Sequence, residues 1–519
     1  MRDGRRGLIA LAWVLPLRVA ASQPAAADRG ELTLTRAIAT ALSIHPRVQS
    51  AEAGVALWRG ARQQAAAPFD GIVTSTASSR EARDVLPAGG AASSVVYQTA
   101  RSTAYGLGFE RAFRFGATLS EELSLDQTRL AGATIPGVGT GSATLRLRVP
   151  LLNNRGGAVT RNLESAAEAQ LDGAFADARQ AQASAVLDVA AAYWSYVAAA
   201  DRLRLLEQTE SRAAQLVEDT RQMVSADERP ASDTLQVLAT LALRTVGRLN
   251  AEQQLLEARE QLGLAMGLSG ASVLDLPAAI TPFPQLAPSP DVLDTARALA
   301  TAQWVAEATR RRPDLRSLQY QQHASELELR SAEGALRPQM DLILGAGYAG
   351  LVQGARSVGG FFAPLRDNVP GLTSSIQVAM RMPTANALAR GRLRVAAAAL
   401  DQRDIARRDA RRRIETGVTV AVSGVWQARQ ALRQAERSVG MSSQAVDNER
   451  QKFRLGVATL FDVINAEEAR LTASLGLINA QAQHAVALAS LYFVTGHAVT
   501  ITGPVVASEM TRLPPLPSP

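Results

Sequence analysis

The chain carries one set of landmarks twice, in one order, and the last interval is identical: Asp233 to Gly267 and Asp462 to Gly496 both span 34 steps. Pro46 answers to Pro313 at an offset of 267, Pro68 to Pro338 at 270, Pro150 to Pro383 at 233, Trp194 to Trp426 at 232 and Asp233 to Asp462 at 229. The large drop in offset occurs once, so one segment holds the length difference. It lies between the second and third prolines, which are 82 residues apart in the first copy and 45 in the second. Two large copies read as a duplicated unit that builds one pseudo-symmetric object.

Of the 519 residues 47% are hydrophobic but only 4% aromatic, and alanine dominates the apolar share, which suits long helices packed at close range. Arg2, Arg5 and Arg6, an apolar stretch over 7–17 and small residues up to Ala27 predict a secretory signal over 1–27. The alternative for that stretch is a short buried helix. With no cysteine, neither a disulfide framework nor a lipid-bearing cysteine is possible. No later run of about 18 apolar residues stands out, so no membrane-spanning helix is expected. Loss of 1–27 lowers the net charge from +7 to +4, with 51 basic against 47 acidic residues. The densest basic run, 403–413, is broken by Asp404 and Asp409 and has no aromatics, so it reads as a solvated helix face and no nucleic-acid partner is expected.

The spacing predicts a helix over 32–67 broken at Pro46, and its counterpart over 305–336 around Pro313. From 161 to 223 the pattern is helical throughout. Leu171, Ala178, Ala185, Ala192, Ala199, Leu206 and Ala213 recur every seventh residue, a coiled-coil seam, and Ile464, Leu471, Ile478, Ala485 and Tyr492 repeat the period in the second copy. Proline-free stretches over 157–225 and 385–455 predict two helices, each on the order of 100 Å long. Each is followed by a break, with Pro230 in one and Gly456 in the other, and a shorter returning helix. The unit is a long helical hairpin, present twice.

Ahead of each long helix the period changes to two. In 142–149 the odd positions Ala143, Leu145, Leu147 and Val149 are apolar, while Ser142, Thr144, Arg146 and Arg148 are polar. One apolar and one charged face fit a strand between lipid and water, although a soluble sandwich alternates too. Strands are expected within 69–149 and at 340–349 and 374–382, with a loop at 359–371. Four strands per chain are expected in the membrane, and 103–127 is expected as an added hairpin at or beyond the outer rim, or extending a barrel strand. The organisation is then a first repeat over 28–275 with a hairpin at 157–267, a proline-rich linker at 276–296, a second repeat over 297–496 with a hairpin at 385–496, and an irregular tail at 497–519. Open sheet edges cannot sit in lipid, so other copies must close the sheet.

Three stretches carry a family resemblance. Leu32-Thr33-Leu34-Thr35-Arg36-Ala37-Ile38-Ala39-Thr40-Ala41-Leu42 with His45-Pro46-Arg47-Val48 resembles the opening of the TolC family of outer-membrane efflux proteins. Val149-Pro150-Leu151-Leu152 resembles its strand-to-helix passage. Phe453-Arg454-Leu455-Gly456-Val457-Ala458-Thr459-Leu460-Phe461-Asp462-Val463-Ile464-Asn465-Ala466 is similar to its hairpin tip and the start of its last helix. The resemblance implies a mostly α, α+β membrane protein: a homotrimer with a shared twelve-stranded outer-membrane β-barrel set in lipid, four strands from each chain, and a periplasmic α-barrel. It also implies a passive exit duct in a tripartite efflux pump or type I secretion system, served by a periplasmic adaptor (membrane fusion protein) and an inner-membrane transporter of RND, ABC or MFS type. The rival reading is a periplasmic coiled-coil scaffold or adaptor that forms no channel; membrane location separates the two.

By the same resemblance Asp462 matches an aspartate of an acidic ring at the constricted end, where converging carboxylates favour cations. A plain helix N-terminal acid is the alternative, and both can hold together. Asn465 stands where some members place a second acid. Ser232 and Asp233 match a polar pair that ties the tips together, with N-capping after Pro230 as the alternative. The partners of that lock are a tyrosine and an arginine; here Phe453 and Ala458 occupy those positions, leaving Arg229 and Arg454 as substitutes. Gly456 permits a tight turn, Asp227 stands at the corresponding place, and the two tips are expected to differ. Adaptor contacts are expected at Gly456, Val457, Arg454, Asp227 and Arg229. Neither a catalytic motif nor a cofactor motif is present, and His45, His323, His484 and His497 show no metal spacing.

Overall fold

The computed structural model of the protein describes residues 31–87, 95–131, 137–227, 229–274, 276–286, 294–353, 363–367 and 371–499. The expected signal segment and nearly all of the tail lie outside them.

Proline places the first breaks. Helix α1 (Leu34–Ile44) is capped by the Thr33 hydroxyl, and α2 (Pro46–Ala66) starts with its proline in the first turn, where no amide donor is missed. In the second copy α6 (Asp294–Arg311) and α7 (Pro313–Ala335) repeat the arrangement. The start of α6 lies inside the segment expected as linker. The long helices α3 (Ala158–Ser225) and α8 (Ala387–Arg454) each run 68 residues, about 100 Å at the usual rise. They return through α4 (Ala231–Met266) and α9 (Leu460–Val494), and a short α5 (Ala271–Leu274) follows α4. Asn154 and Asn386, 232 residues apart like the paired tryptophans, both take left-handed φ, 58° and 45°, just before a long helix. The Asn154 side chain accepts the amides of Val159 and Thr160 and so caps α3.

The helices stand four abreast in two tiers. Next to the sheet the order is α2, α3, α7, α8; toward the hairpin ends it is α4, α3, α9, α8. The alanine seam does the packing: Ala185 is fully buried, and Leu171, Leu206 and Ala213 are buried at other points along the same seam. Midway, Tyr193 and Trp194 fill the core; the Tyr193 hydroxyl donates to the Leu32 carbonyl (3.0 Å) and accepts the Thr281 amide (3.1 Å), while Trp194 stacks on Phe283. Among the described helices α3 alone is long and apolar enough to cross a membrane, contrary to expectation. Half of that apolar stretch is buried within the chain, so its hydrophobicity is used for helix packing. The first residues of the tail, His497–Val499, form a 3-10 turn, with His497 and Ala498 buried.

The strand number departs from expectation. One antiparallel sheet holds six strands in chain order: β1 (Gly71–Pro87), β2 (Val95–Ala112), β3 (Thr118–Leu130), β4 (Val138–Pro150), β5 (Gln339–Gln353) and β6 (Thr373–Arg381). The mostly helical class with an antiparallel sheet stands, but the one sheet has six strands where four were expected in the membrane, and 103–127 supplies most of two of them, β2 and β3. Its turn lies at the helix end of the sheet, not at the outer rim. The physical reason is a tight junction: Gly116 (φ 96°) is pressed on Gly157, so that a Cβ there would meet the Gly157 amide nitrogen at 2.6 Å. Arg114 in the same turn forks onto Glu164 of α3 (2.6 and 2.9 Å) and covers the Phe69 ring at 4.8 Å.

Candidate functional site

Both hairpin tips follow one backbone path. In the first, α3 ends at Ser225, Ala226 takes φ −87°, ψ 3°, and Asp227 turns left-handed at φ 62°. In the second, α8 ends at Arg454, Leu455 takes φ −84°, ψ 1°, and Gly456 turns at φ 73°. The expected difference between Asp227 and Gly456 is therefore absent from the backbone, because aspartate tolerates the left-handed region better than most residues. Asp227, Arg454, Gly456 and Val457 are all exposed.

The tips differ one step later. Pro230 is the N-cap of α4, with no side-chain hydrogen bond, so neither Ser232 nor Asp233 caps; Asp233 sits in the first turn. Thr459 caps α9 through a full capping box. Its amide and hydroxyl donate to Asp462 Oδ2 (2.8 and 2.6 Å), and the Asp462 amide returns to the Thr459 hydroxyl (3.3 Å). The Thr459 hydroxyl, then its amide, then the Lys452 charge hold the Asp462 carboxyl below its ordinary range. Asp462 is thus first the reciprocal partner of the Thr459 cap, and it stays half-buried, with exposed Asn465 one turn along the helix.

The hairpins are joined near their tips and along their helices. Arg229 of the first tip lies over the Phe453 ring of the second, 4.5 Å from its centre, so a residue expected as a substitute in the lock meets the residue that replaces the tyrosine. Beneath them Val217, Val237 and Leu460 form a small apolar core against Phe453 and Ile464. Farther along the helices Glu467 of α9 takes Arg450 (2.5 Å) and Arg470 (2.7 Å), and Arg244 of α4 pairs with Glu468. Burial, with Arg470 and Arg450 nearby, makes the Arg212 guanidinium a stronger acid than usual. Sequence reasoning named Arg229 and Phe453 without pairing them, since nothing local in the sequence joins residues 224 positions apart. It missed Thr459, although the Thr-x-x-Asp spacing of a capping box stands in the sequence.

At the other end the sheet has two chemical faces. Cross-strand partners Leu107, Leu123, Ala143 and Tyr348 share one face, and Glu122, Thr144 and Gly347 share the other. On the polar face Arg146 lies 3.6 Å from Glu122, and the Ser124 and Ser142 hydroxyls meet at 2.7 Å.

A family model described as outer membrane efflux protein matches residues 114–268 and 304–497. No curated protein matches the sequence. The fold is similar to that of the outer-membrane channel OprN, at TM-score 0.64 and 19% identity over 89% of each chain. It is also similar to the outer membrane protein VceC of Vibrio cholerae, at TM-score 0.63 and 16% identity over 89% of this chain and 96% of the other. The MtrE channel of Neisseria gonorrhoeae in its open state gives TM-score 0.61 and 17% identity over 89% and 88%. With a shared fold and a family model that matches most of the chain and spans both copies, the chain belongs to the outer membrane efflux protein family, a TolC-like outer-membrane channel protein with its helical part on the periplasmic side.

Proposed function

We propose that three copies of this chain assemble into one passive duct through the outer membrane, the exit of a tripartite efflux pump or type I secretion system. The observation that carries the reading is an open sheet: β1 and β6 each have one strand neighbour, and the apolar face cannot be left with free edges in lipid. The flanking helices show the same incompleteness. Leu235, Leu243 and Val246 on α4, and Leu388, Val395 and Ile405 on α8, are more than half exposed in the single chain. Neighbouring copies cover both.

At the tips, Asp462 and Asn465 with Ser232 and Asp233 form the constriction, and Asp227, Arg229, Arg454, Gly456 and Val457 offer the adaptor its contact. A periplasmic adaptor and an inner-membrane transporter of RND, ABC or MFS type supply the cargo. The test is reconstitution of the detergent-extracted protein. Trimers by mass photometry together with ion conductance in planar bilayers are expected; a monomer that stays soluble without detergent and gives no conductance overturns the reading.

A further inference from the structure

We propose that β2 and β3 are full members of the barrel wall, so that three copies close an eighteen-stranded barrel as broad as the helical tunnel beneath it. The proposal rests on the shared-barrel reading above and concerns the width of that barrel.

Three observations on β2 and β3 support it. Their faces continue those of the other strands: Leu107 on β2 and Leu123 on β3 lie in one apolar row with Ala143 on β4 and Tyr348 on β5, and Tyr105 and Leu125 stand together in the row beside it. A hairpin lying outside the barrel needs no such row. The polar face is bonded across the same boundary, by Arg146 to Glu122 and Ser142 to Ser124. The hairpin is also pinned at the helix end by Arg114 on Glu164 and by Gly116 on Gly157, between the entry to β1 and the exit from β4.

Width gives an independent argument. Four helices abreast at 8–10 Å spacing make a wall of about 32–40 Å per chain. Six strands spaced about 4.8 Å apart and tilted by about 40° cover about 38 Å of circumference, whereas four cover only about 25 Å. Six strands thus meet four helices edge to edge, and four would force the wall to taper. The nine residues of β6 are long enough to cross the hydrocarbon, and Ile376 and Val378, cross-strand partners of Leu344 and Leu342, carry the apolar face on to the free edge.

The consequence is a wide outlet. An eighteen-stranded barrel has a backbone radius of about 18 Å against about 12 Å for twelve strands. After about 5 Å of side chain, the clear radius is about 13 Å against about 7 Å. The outer barrel then imposes no size limit on small molecules, and selection falls to the tips.

The full-length protein in nanodiscs, imaged by electron cryo-microscopy, tests this together with polymer exclusion in planar bilayers, with neutral polyethylene glycols added on the sheet side. Eighteen wall strands are expected, and glycols of hydrodynamic radius up to about 12 Å are expected to enter and lower the conductance. A closed trimer with twelve wall strands and β2–β3 outside it, with a cut-off near about 7 Å, overturns this inference and leaves the duct reading intact. Absence of any closed barrel overturns both.

Discussion

The two hairpin tips trace the same path with different chemistry. Ala226 and Leu455 share one backbone state, Asp227 and Gly456 the next, yet only the second tip carries a side-chain cap. The second tip is held by local bonds, Thr459 with Asp462. The first depends on the fixed φ of Pro230 and on Arg229 reaching across to Phe453. The comparison teaches that a duplicated backbone can be kept in one copy by capping and in the other by a partner.

The largest expected effect is from Gly456→Val. Gly456 has open space around it, so the strain is purely that of a β-branched residue at φ 73°, about 1–2 kcal/mol, and hydrogen exchange at the second tip should accelerate. Equal exchange at the two tips after this change would show that the backbone state is held by the assembly and not by the residue.

Next in size, Arg229→Ala or Phe453→Ala should each cost about 0.5–2 kcal/mol of inter-hairpin coupling and raise the resting conductance in bilayers. A double-mutant cycle with no coupling would remove Arg229–Phe453 from the comparison.

Thr459→Ala should cost about 1 kcal/mol, confined to the start of α9. It also carries a pH signature. The Asp462 carboxyl is lowered from its ordinary 3.8, so its stabilisation is fully present above that value and is lost as pH falls through the lower folded value. Exchange at the second tip should therefore quicken in acid in the parent protein, and this dependence should weaken in T459A, where the backbone amide and Lys452 still favour the carboxylate.

The smallest effect is expected from Pro230→Thr, which places a capping hydroxyl three residues before Asp233, as in the other tip. The cap gains about 1 kcal/mol and the lost proline rigidity takes back about 0.4–1 kcal/mol. Protection in the first turn of α4 should rise while global stability barely moves. A first turn that frays faster would mean that Asp233 is held elsewhere in the assembly.

Much of the fold was legible because it is local and periodic. Heptads at Leu171 to Ala213 marked the long helix, Pro46 and Pro313 marked the breaks, and the alternation around Leu145 and Arg146 marked a two-faced strand. Two misjudgements share one cause, since strand pairing and left-handed turns are set by what lies across from them. Nothing within 103–127 says that its turn must sit against Gly157, and nothing at Asp227 says that it must copy Gly456. In the tip site, Asp462 was readable from its neighbours, whereas the Arg229–Phe453 contact needed two hairpins side by side.

By itself the sequence determined the duplication, the two hairpins of about 100 Å, the alternating faces and the family, because each follows from hydrophobic period, proline placement or short motifs acting within a few residues. Only the tertiary structure decided that the sheet has six strands, that Arg114 and Gly116 anchor the added pair at the helix end, and that Arg229 closes over Phe453. Those depend on contacts between segments far apart in the chain, where many pairings satisfy the local pattern and packing selects one.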